Sequence, residues 1–209
     1  HVAPGLPRPL DRREEEPLKA GLYYLVAMHV GVVLLTVGFI IASLPAGSFD
    51  FSAIMRFWRQ AGGMPSALAL LFFAGFAFKA GFVPLHTWLP LAHPAAPSNV
   101  SALMSGVMIK TGIYGLLRLL LIGGMPARAL IYGLLAISVL SALYGIGYAL
   151  NQRDYKKLLA YSSIENIGLV GIGISAGLLG ASFGNPLMLF LGFTGALMHL
   201  VHHSLIKSL

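Results

Sequence analysis

The sequence predicts an all-α membrane protein, a bundle of about six transmembrane helices in which one helix is broken. Hydrophobic residues make up 57% of the 209-residue chain and charged residues only 10%, with a mean hydropathy of +0.80. Soluble domains contain about 25% charged residues. Apolar stretches long enough to cross a bilayer recur along the chain. One of them is interrupted by lysine, glycine and proline at 79–84.

Each predicted span contains about 20 mostly apolar residues, which is the length that a helix needs to cross a bilayer. The spans cover residues 21–44, 65–89, 99–121, 127–150, 158–180 and 186–209. Residues 1–20 are rich in proline, arginine and glutamate, so we expect an extramembrane lead there. The remaining residues, 21–209, are then one partial transmembrane domain.

The connectors between the spans carry local signals of their own. Aromatic and aliphatic residues within 45–64 are typical of an amphipathic turn or short helix at the membrane interface. Three prolines predict a connector at 90–98, and Gly123 to Pro126 predict a tight turn. The chain starts with His1, has no signal-peptide pattern and stops directly after an apolar stretch. We therefore expect an interior piece of a longer protein.

The distribution of charge indicates an orientation and excludes one class of partner. The side that holds the lead, the 90–98 connector and the 151–157 loop carries the basic residues Arg8, Arg12, Arg13, Lys19, Arg153, Lys156 and Lys157. The opposite side carries fewer: Arg56, Arg59, Arg118 and Arg128. The positive-inside rule places the first side in the cytoplasm, as expected for a multi-pass protein of the inner (plasma) membrane. The net charge of +7 forms no basic face, so no nucleic-acid partner is expected.

Lys79 lies inside the second predicted span and is followed by Gly81 and Pro84. Proline removes a helical hydrogen bond and glycine weakens the turn, so the helix should break beside the lysine. Broken helices at membrane depth persist where they are buried in protein or line water, and their free carbonyls can hold a cation. A role in a polar path competes with a second interpretation, a lysine that snorkels from a helix end to the interface.

Lys110 lies near the middle of the third predicted span, from which its side chain would have a long way to reach an interface. A charge at the bilayer centre costs about 2.5–3.5 kcal/mol on insertion scales, so such residues are rare and usually functional. A lysine can release and regain its proton, whereas an arginine stays charged. We therefore expect Lys110 to be a proton-relay residue.

Three polar residues of the last span share one stripe of its helix. His199, His203 and Lys207 recur every four residues, and His202 lies about 100° away. Because histidine titrates near pH ~6.5 and can pass a proton between its two nitrogens, the stripe predicts a proton wire. Structural hydrogen bonding is one alternative, and a metal or haem site is another, although no carboxylate or cysteine accompanies the histidines.

Other polar residues carry weaker signals. Glu165 lies near the start of the fifth span and is either a shallow, hydrated carboxylate or the partner of a lysine. Trp88, His86 and His93 lie in a loop region and are predicted to anchor the chain at the membrane interface. The chain has no cysteine, which excludes disulfides and Cys-ligated zinc or iron–sulfur clusters within it. We expect no metal, no cofactor and no catalytic site.

Four sequence blocks resemble a known family in their order and spacing. They are KAGFVPLHTWLP at 79–90 with the alanine, histidine and proline that follow it, KTGIYGLLR at 110–118, DYKKLLAYSSI at 154–164 and HLVHHSLIKSL at 199–209. The chain resembles the antiporter-like membrane subunits of respiratory complex I, a family that includes Mrp-type sodium/proton antiporters and membrane subunits of group 4 hydrogenases. Within it, SIENIG at 163–168 and MSGVMIK at 104–110 look most like the branch of hydrogenase-4 component B and formate hydrogenlyase subunit 3.

The resemblance implies a role for each matching position. Lys79 matches the broken-helix lysine of the first half-channel, and Lys110 matches the central lysine of the next helix. His199, His203 and Lys207 match residues that carry protons along the axis of the subunit. The family also pairs the broken-helix lysine with a glutamate on an earlier helix and has a second half-channel. We expect both to lie outside this chain.

The resemblance implies a non-redox, proton-translocating subunit of a hydrogenase-4, formate hydrogenlyase or complex I-type assembly. Partners would be other membrane subunits and cytoplasmic iron–sulfur, hydrogenase or dehydrogenase subunits. The charge on one lysine would alter the proton affinity of the next, because charges interact strongly at low dielectric. The alternative is a subunit of an Mrp-type Na⁺/H⁺ antiporter, for which sodium would also move.

Overall fold

The computed structural model describes residues 9–208, and every regular element in that range is helical. The elements are α1 (Pro9–Ser43), α2 (Phe51–Gln60), α3 (Ser66–Ala80), α4 (Leu89–Ala95), α5 (Ser98–Leu103), a π-helical turn (Met104–Met108), α6 (Ile109–Gly123), α7 (Arg128–Leu150), α8 (Tyr155–Ser182) and α9 (Pro186–Ser208). Five helical segments in this range are long and apolar enough to cross a membrane: Glu16–Ser43, Ser98–Leu120, Arg128–Leu150, Tyr155–Ser182 and Pro186–Ser208. The prediction of a polytopic helix bundle is confirmed.

Helix α1 begins at Pro9 rather than at residue 21, so part of the predicted lead is helical. Residues 1–8 of that lead lie outside the described residues. Proline suits the first turn of a helix, and the arginine, glutamate, leucine and lysine residues that follow it are good helix formers. The polar composition of the lead therefore did not predict its secondary structure.

Helix α2 is the short amphipathic segment that the sequence predicts between the first two spans. Ile54 and Trp58 are one helical turn apart and buried, whereas Arg56 and Arg59 are exposed. The Trp58 Nε1–H donates to the carbonyl oxygen of Ala42 at 3.1 Å, which fastens α2 to the end of α1. The prediction is confirmed.

The predicted helix break is present between α3 and α4. Helix α3 ends at Ala80, and Gly81 adopts a left-handed conformation (φ 79°) that its lack of a side chain permits. The Val83–Pro84 peptide bond in the segment that follows is cis. Two carbonyls of the last turn of α3 have partners, because the Gly81 N–H donates to Ala77 and the Trp88 Nε1–H donates to Phe78.

Two predictions around the break need correction. Part of the proline-rich connector at 90–98 is helix α4, because Pro90 occupies the first turn, where a missing N–H costs no helical hydrogen bond. Trp88, His86 and His93 are not interface anchors, since 1%, 5% and 2% of their surfaces are exposed. Trp88 packs against Tyr24 of α1, His86 packs against Tyr144 of α7, and His93 contacts Ser101 of α5. The local sequence does not indicate these contacts.

Two contacts confirm which connectors share a side of the bundle. The Lys156 Nζ donates to the Ala96 carbonyl at 2.9 Å, which joins the start of α8 to the 90–98 connector. At the opposite end, the Met64 N–H donates to the Gly123 carbonyl at 3.0 Å. The first pair lies on the side for which the sequence predicts the larger number of basic residues.

Helix α8 is the most buried of the five membrane-length segments and packs between α7 and α9. The α7–α8 contact depends on small residues, as is usual where transmembrane helices approach closely. A Cβ at Gly145 would lie 2.4 Å from the backbone nitrogen of Glu165, whereas a Cβ at Gly147 would meet nothing within 4 Å. Both glycines belong to α7, so they form a matched pair.

We expect Gly145→Ala to destabilise the folded protein by about 1–3 kcal/mol, because the added methyl group forces α7 away from α8. Gly147→Ala should be neutral or stabilising by up to ~1 kcal/mol, because alanine favours a helix and this site is open. Thermal unfolding of the purified full-length variants in detergent measures both effects. Equal transition temperatures for the two variants would contradict the close α7–α8 contact.

Candidate functional site

The centre of the candidate site is a contact between Lys110 on α6 and His203 on α9. The Lys110 Nζ lies 2.8 Å from His203 Nδ1, and it also donates to the carbonyl oxygen of Ser105. Lys110 is 8% exposed and His203 is 3% exposed, so the lysine does not snorkel to a surface. Neither partner of the amine carries a formal negative charge.

The π-helical turn supplies the Ser105 carbonyl. It spans Met104–Met108 and ends immediately before the residues that begin α6. A π-helical turn widens the helix by one residue and occurs frequently at functional sites. Helix α9 packs directly against this turn, which brings His203 to Lys110. No local sequence signal indicates the turn.

Lys207 and His199 lie one helical turn from His203, on either side of it, and both contact α8. The Lys207 Nζ donates to the Leu159 carbonyl at 2.9 Å and to Ser162 Oγ at 2.6 Å. His199 Nε2 lies 2.8 Å from Asn166 Oδ1. The predicted stripe on α9 therefore faces the interior of the bundle along α8 and the π-helical turn.

A row of polar groups on α8 connects these contacts. Its members are Leu159 (through its carbonyl), Ser162, Ser163 and Asn166, which share one face of the helix. Ser163 Oγ donates to the Leu159 carbonyl at 3.0 Å and lies 2.8 Å from Ser105 Oγ. The groups around Lys110 are thus linked through Ser105, Ser163 and Leu159 to Lys207. Sequence reasoning missed the serines, although their spacing with Asn166 is the signal that could have found them.

The charges of the site also act on one another. Lys110 and Lys207 are close enough to repel each other when both are protonated, and Glu165 attracts Lys207. His93 on α4 is within range of Lys110, Lys156 and Lys207. Such interactions are strong in a low-dielectric interior, so the charge on one lysine opposes charge on the other.

The other predicted site residues lie outside this hydrogen-bonded cluster. Lys79, in the last turn of α3, is half-buried and makes no hydrogen bond or ion pair with the described residues. Gly81 and Pro84 form the break beside it. Glu165 is half-buried, and His202 is exposed and lies off the stripe. Four of the five predicted relay residues are therefore brought together, and Lys79 is not.

Several histidine ring nitrogens are buried. His93 Nδ1 contacts Ser101 Oγ, whereas His93 Nε2, His203 Nε2 and His86 Nδ1 are buried without a partner in the part of the chain that the structure describes. Within residues 9–208, no group of three or more His, Asp or Glu side chains is arranged to hold a metal ion. The cluster thus consists of bases and hydroxyl groups that can share protons.

The chain is similar to membrane subunits of hydrogen-metabolising complexes. Hydrogenase-4 component B of Escherichia coli (strain K12) is 44% identical over 206 residues, which cover 96% of this chain and 30% of that protein. Formate hydrogenlyase subunit 3 of the same strain is 35% identical over 190 residues, which cover 91% of this chain and 31% of that protein. The chain spans about a third of the length of these relatives.

The fold is similar to that of a solved respiratory assembly. A chain of the membrane-bound sulfane sulfur reductase, an archaeal respiratory membrane complex, superimposes with a TM-score of 0.79 at 31% sequence identity. The match covers 91% of this chain and 32% of that chain. Residues 10–209 also match the family model described as "NADH:quinone oxidoreductase/Mrp antiporter, TM". This multi-pass membrane chain therefore belongs to the NADH:quinone oxidoreductase/Mrp antiporter transmembrane family, as its sequence blocks predict.

Proposed function

We propose that the chain is the proton-translocating part of a membrane subunit in a hydrogenase-4, formate hydrogenlyase or complex I-type assembly. Protons move along Lys110, His203, Lys207 and His199 in response to electron transfer in partner subunits. The contact between Lys110 Nζ and His203 Nδ1 is the observation that carries the proposal. It joins two buried bases that are 93 residues apart in the sequence.

The chemistry of this contact favours proton transfer over a purely structural role. A structural buried lysine is normally stabilised by a carboxylate, which holds the amine in its charged form. Lys110 instead contacts an imidazole nitrogen, which accepts a proton, and a carbonyl oxygen, which stabilises an N–H. A proton on Lys110 can therefore be handed to His203 across a single hydrogen bond.

Repulsion between the lysines couples their protonation states. When Lys207 is protonated, its charge disfavours a proton on Lys110, and the reverse holds when Lys110 is protonated. A charge change on one side of the site is thereby transmitted to the other side. The row of Ser105, Ser163 and Leu159 between the two amines holds both helices in register for this interaction.

Lys79 is proposed as the residue that takes up the first proton. It is half-buried beside the helix break, where the backbone is irregular within the membrane. Among residues 9–208, no hydrogen bond links it to Lys110, so this step requires water or a movement of α3. Glu165 supports the charged form of Lys207, and His202 takes no part.

Partners and location follow from the same proposal. The relatives are components of hydrogenase-4 and of formate hydrogenlyase, so hydrogenase subunits with iron–sulfur centres are the expected cytoplasmic partners. Other membrane subunits would cover the apolar faces of α1 and α9, and the assembly would lie in the inner (plasma) membrane. The family description also names Mrp antiporters, so Na⁺/H⁺ exchange is the second candidate function.

Reconstitution of the full-length protein with its partner subunits in vesicles distinguishes the two candidates. The proposal predicts proton uptake that starts when electron donor and acceptor are added and that persists without sodium. An Mrp-type antiporter would exchange sodium for protons along an imposed gradient without any electron donor. Exchange of that kind, together with no donor-dependent proton uptake, would contradict the proposed function.

A further inference from the structure

In the hydrogen bond between Asn166 on α8 and His199 on α9, the donor and the acceptor can be identified. His199 Nε2 lies 2.8 Å from Asn166 Oδ1. On its other side, Asn166 Nδ2 donates to the carbonyl oxygen of Ser162 at 2.7 Å. Both side chains are half-buried, so these protein contacts determine their orientation more than water does.

The orientation of the Asn166 amide follows from the Ser162 contact. A carbonyl oxygen only accepts hydrogen bonds, so the half of the amide that faces it must be the NH₂ group. The reversed amide would place two oxygens against each other at hydrogen-bond distance and lose the bond. Oδ1 is therefore the amide atom that faces the imidazole of His199.

The proton position on His199 follows in turn. Asn166 Oδ1 has no proton to donate, so the imidazole nitrogen that it contacts must carry one. We propose that Asn166 fixes the tautomer of His199, with the proton of the neutral ring on Nε2 and with Nδ1 as its only proton-accepting nitrogen. Asn166 is thus a positioning residue, which exchanges no proton itself but determines which atom of His199 does.

In the neighbouring contacts between α8 and α9, the donor again belongs to α9 and the acceptor to α8. Lys207 Nζ donates to the Leu159 carbonyl and to Ser162 Oγ. The Ser162 hydroxyl directs its own hydrogen to the same Leu159 carbonyl, at 3.0 Å, and so presents a lone pair to the lysine. Helix α8 therefore presents acceptors at every one of these contacts, and α9 presents N–H groups.

The tautomer determines how a proton passes through His199, a consequence that rests on the proposed function. A proton that reaches His199 would arrive and depart through Nδ1, on the edge of the ring that faces away from Asn166. It would not continue to α8, because the Asn166 amide neither gains nor loses a proton. The hydrogen-bonded relay therefore ends at Asn166 on the side of α9 that faces α8.

Nitrogen NMR of ¹⁵N-histidine-labelled full-length protein in its assembled complex tests the tautomer. The His199 signals are identified by their loss in His199→Gln. We expect Nε2 to carry a hydrogen-bonded proton in the wild-type protein. Asn166→Leu should change the tautomer ratio about two- to tenfold, the effect of one ordinary hydrogen bond. Asn166→Asp, which keeps an acceptor, should retain the proton on Nε2.

Ser175→Ala is the matched control on α8, because it removes a buried hydroxyl that bonds only within its own helix, to Gly171. It should leave the His199 signals unchanged. A wild-type proton on Nδ1, or His199 signals that Asn166→Leu does not alter, would overturn the inference. Pumping by the same samples tests the proposed function separately: an altered tautomer with unaltered pumping would support the role of Asn166 and remove His199 from the relay.

Discussion

Replacing Lys110 with methionine or alanine is expected to lower proton pumping about a hundredfold, the loss typical for a residue that transfers protons directly. The variant leaves His203 Nδ1 without its amine and breaks the relay at its most buried contact. Methionine keeps most of the length of the side chain, so the packing of α9 against the π-helical turn should persist. Proton uptake per electron transferred, measured in vesicles that contain the assembled complex, reports the effect.

Two further variants separate proton transfer from charge. Lys110→Arg keeps a positive charge that cannot be released, so it should pump as poorly as Lys110→Met. Lys157→Ala removes an exposed lysine in the first turn of α8 and should pump like the wild-type protein. Wild-type pumping in Lys110→Arg would show that the site needs a fixed charge, and wild-type pumping in Lys110→Met would show that protons bypass Lys110.

Replacing His203 with leucine is expected to have the second-largest effect, a loss of pumping of at least about tenfold. Leucine fills the buried space but accepts no proton, so the Lys110 amine retains only the Ser105 carbonyl as a partner. A buried ammonium with one neutral acceptor is unfavourable, and the lysine should then remain in its neutral form. The measurement is again proton uptake per electron transferred.

His202→Leu is the matched control for this variant. His202 is the adjacent residue on the same helix, but its side chain is exposed and lies off the stripe. It should pump normally and assemble in wild-type amounts. Equal losses in His202→Leu and His203→Leu would indicate that helix α9 tolerates no apolar substitution, and the specific role of His203 would then be contradicted.

The features that sequence reasoning predicted well are those that depend on neighbouring residues. Gly81 and Pro84 predict the helix break because backbone conformation is a local property. The depth of Lys110 follows from its position within an apolar stretch, and the α9 stripe follows from the spacing of His199, His203 and Lys207. The structure agrees with each of these expectations.

The features that sequence reasoning missed depend on contacts between distant residues. Nothing near Lys110 indicates that its partner is His203, because that contact depends on how α9 packs against the π-helical turn. The burial of Trp88 and His93 is likewise set by other helices, so their position in a predicted loop region did not indicate it. Prolines at 90–97 suggested a connector, although Pro90 is compatible with the start of α4.

A double-mutant cycle on Lys110 and His203 tests the central claim, that these two residues transfer protons as one unit. Proton uptake per electron is compared in Lys110→Met, His203→Leu and the double variant, each in the assembled complex. Residues that act as a unit are strongly non-additive. We predict that the double variant pumps as much as whichever single variant pumps less. A loss equal to the product of the two single losses would contradict the claim, because it would mean that Lys110 and His203 act independently.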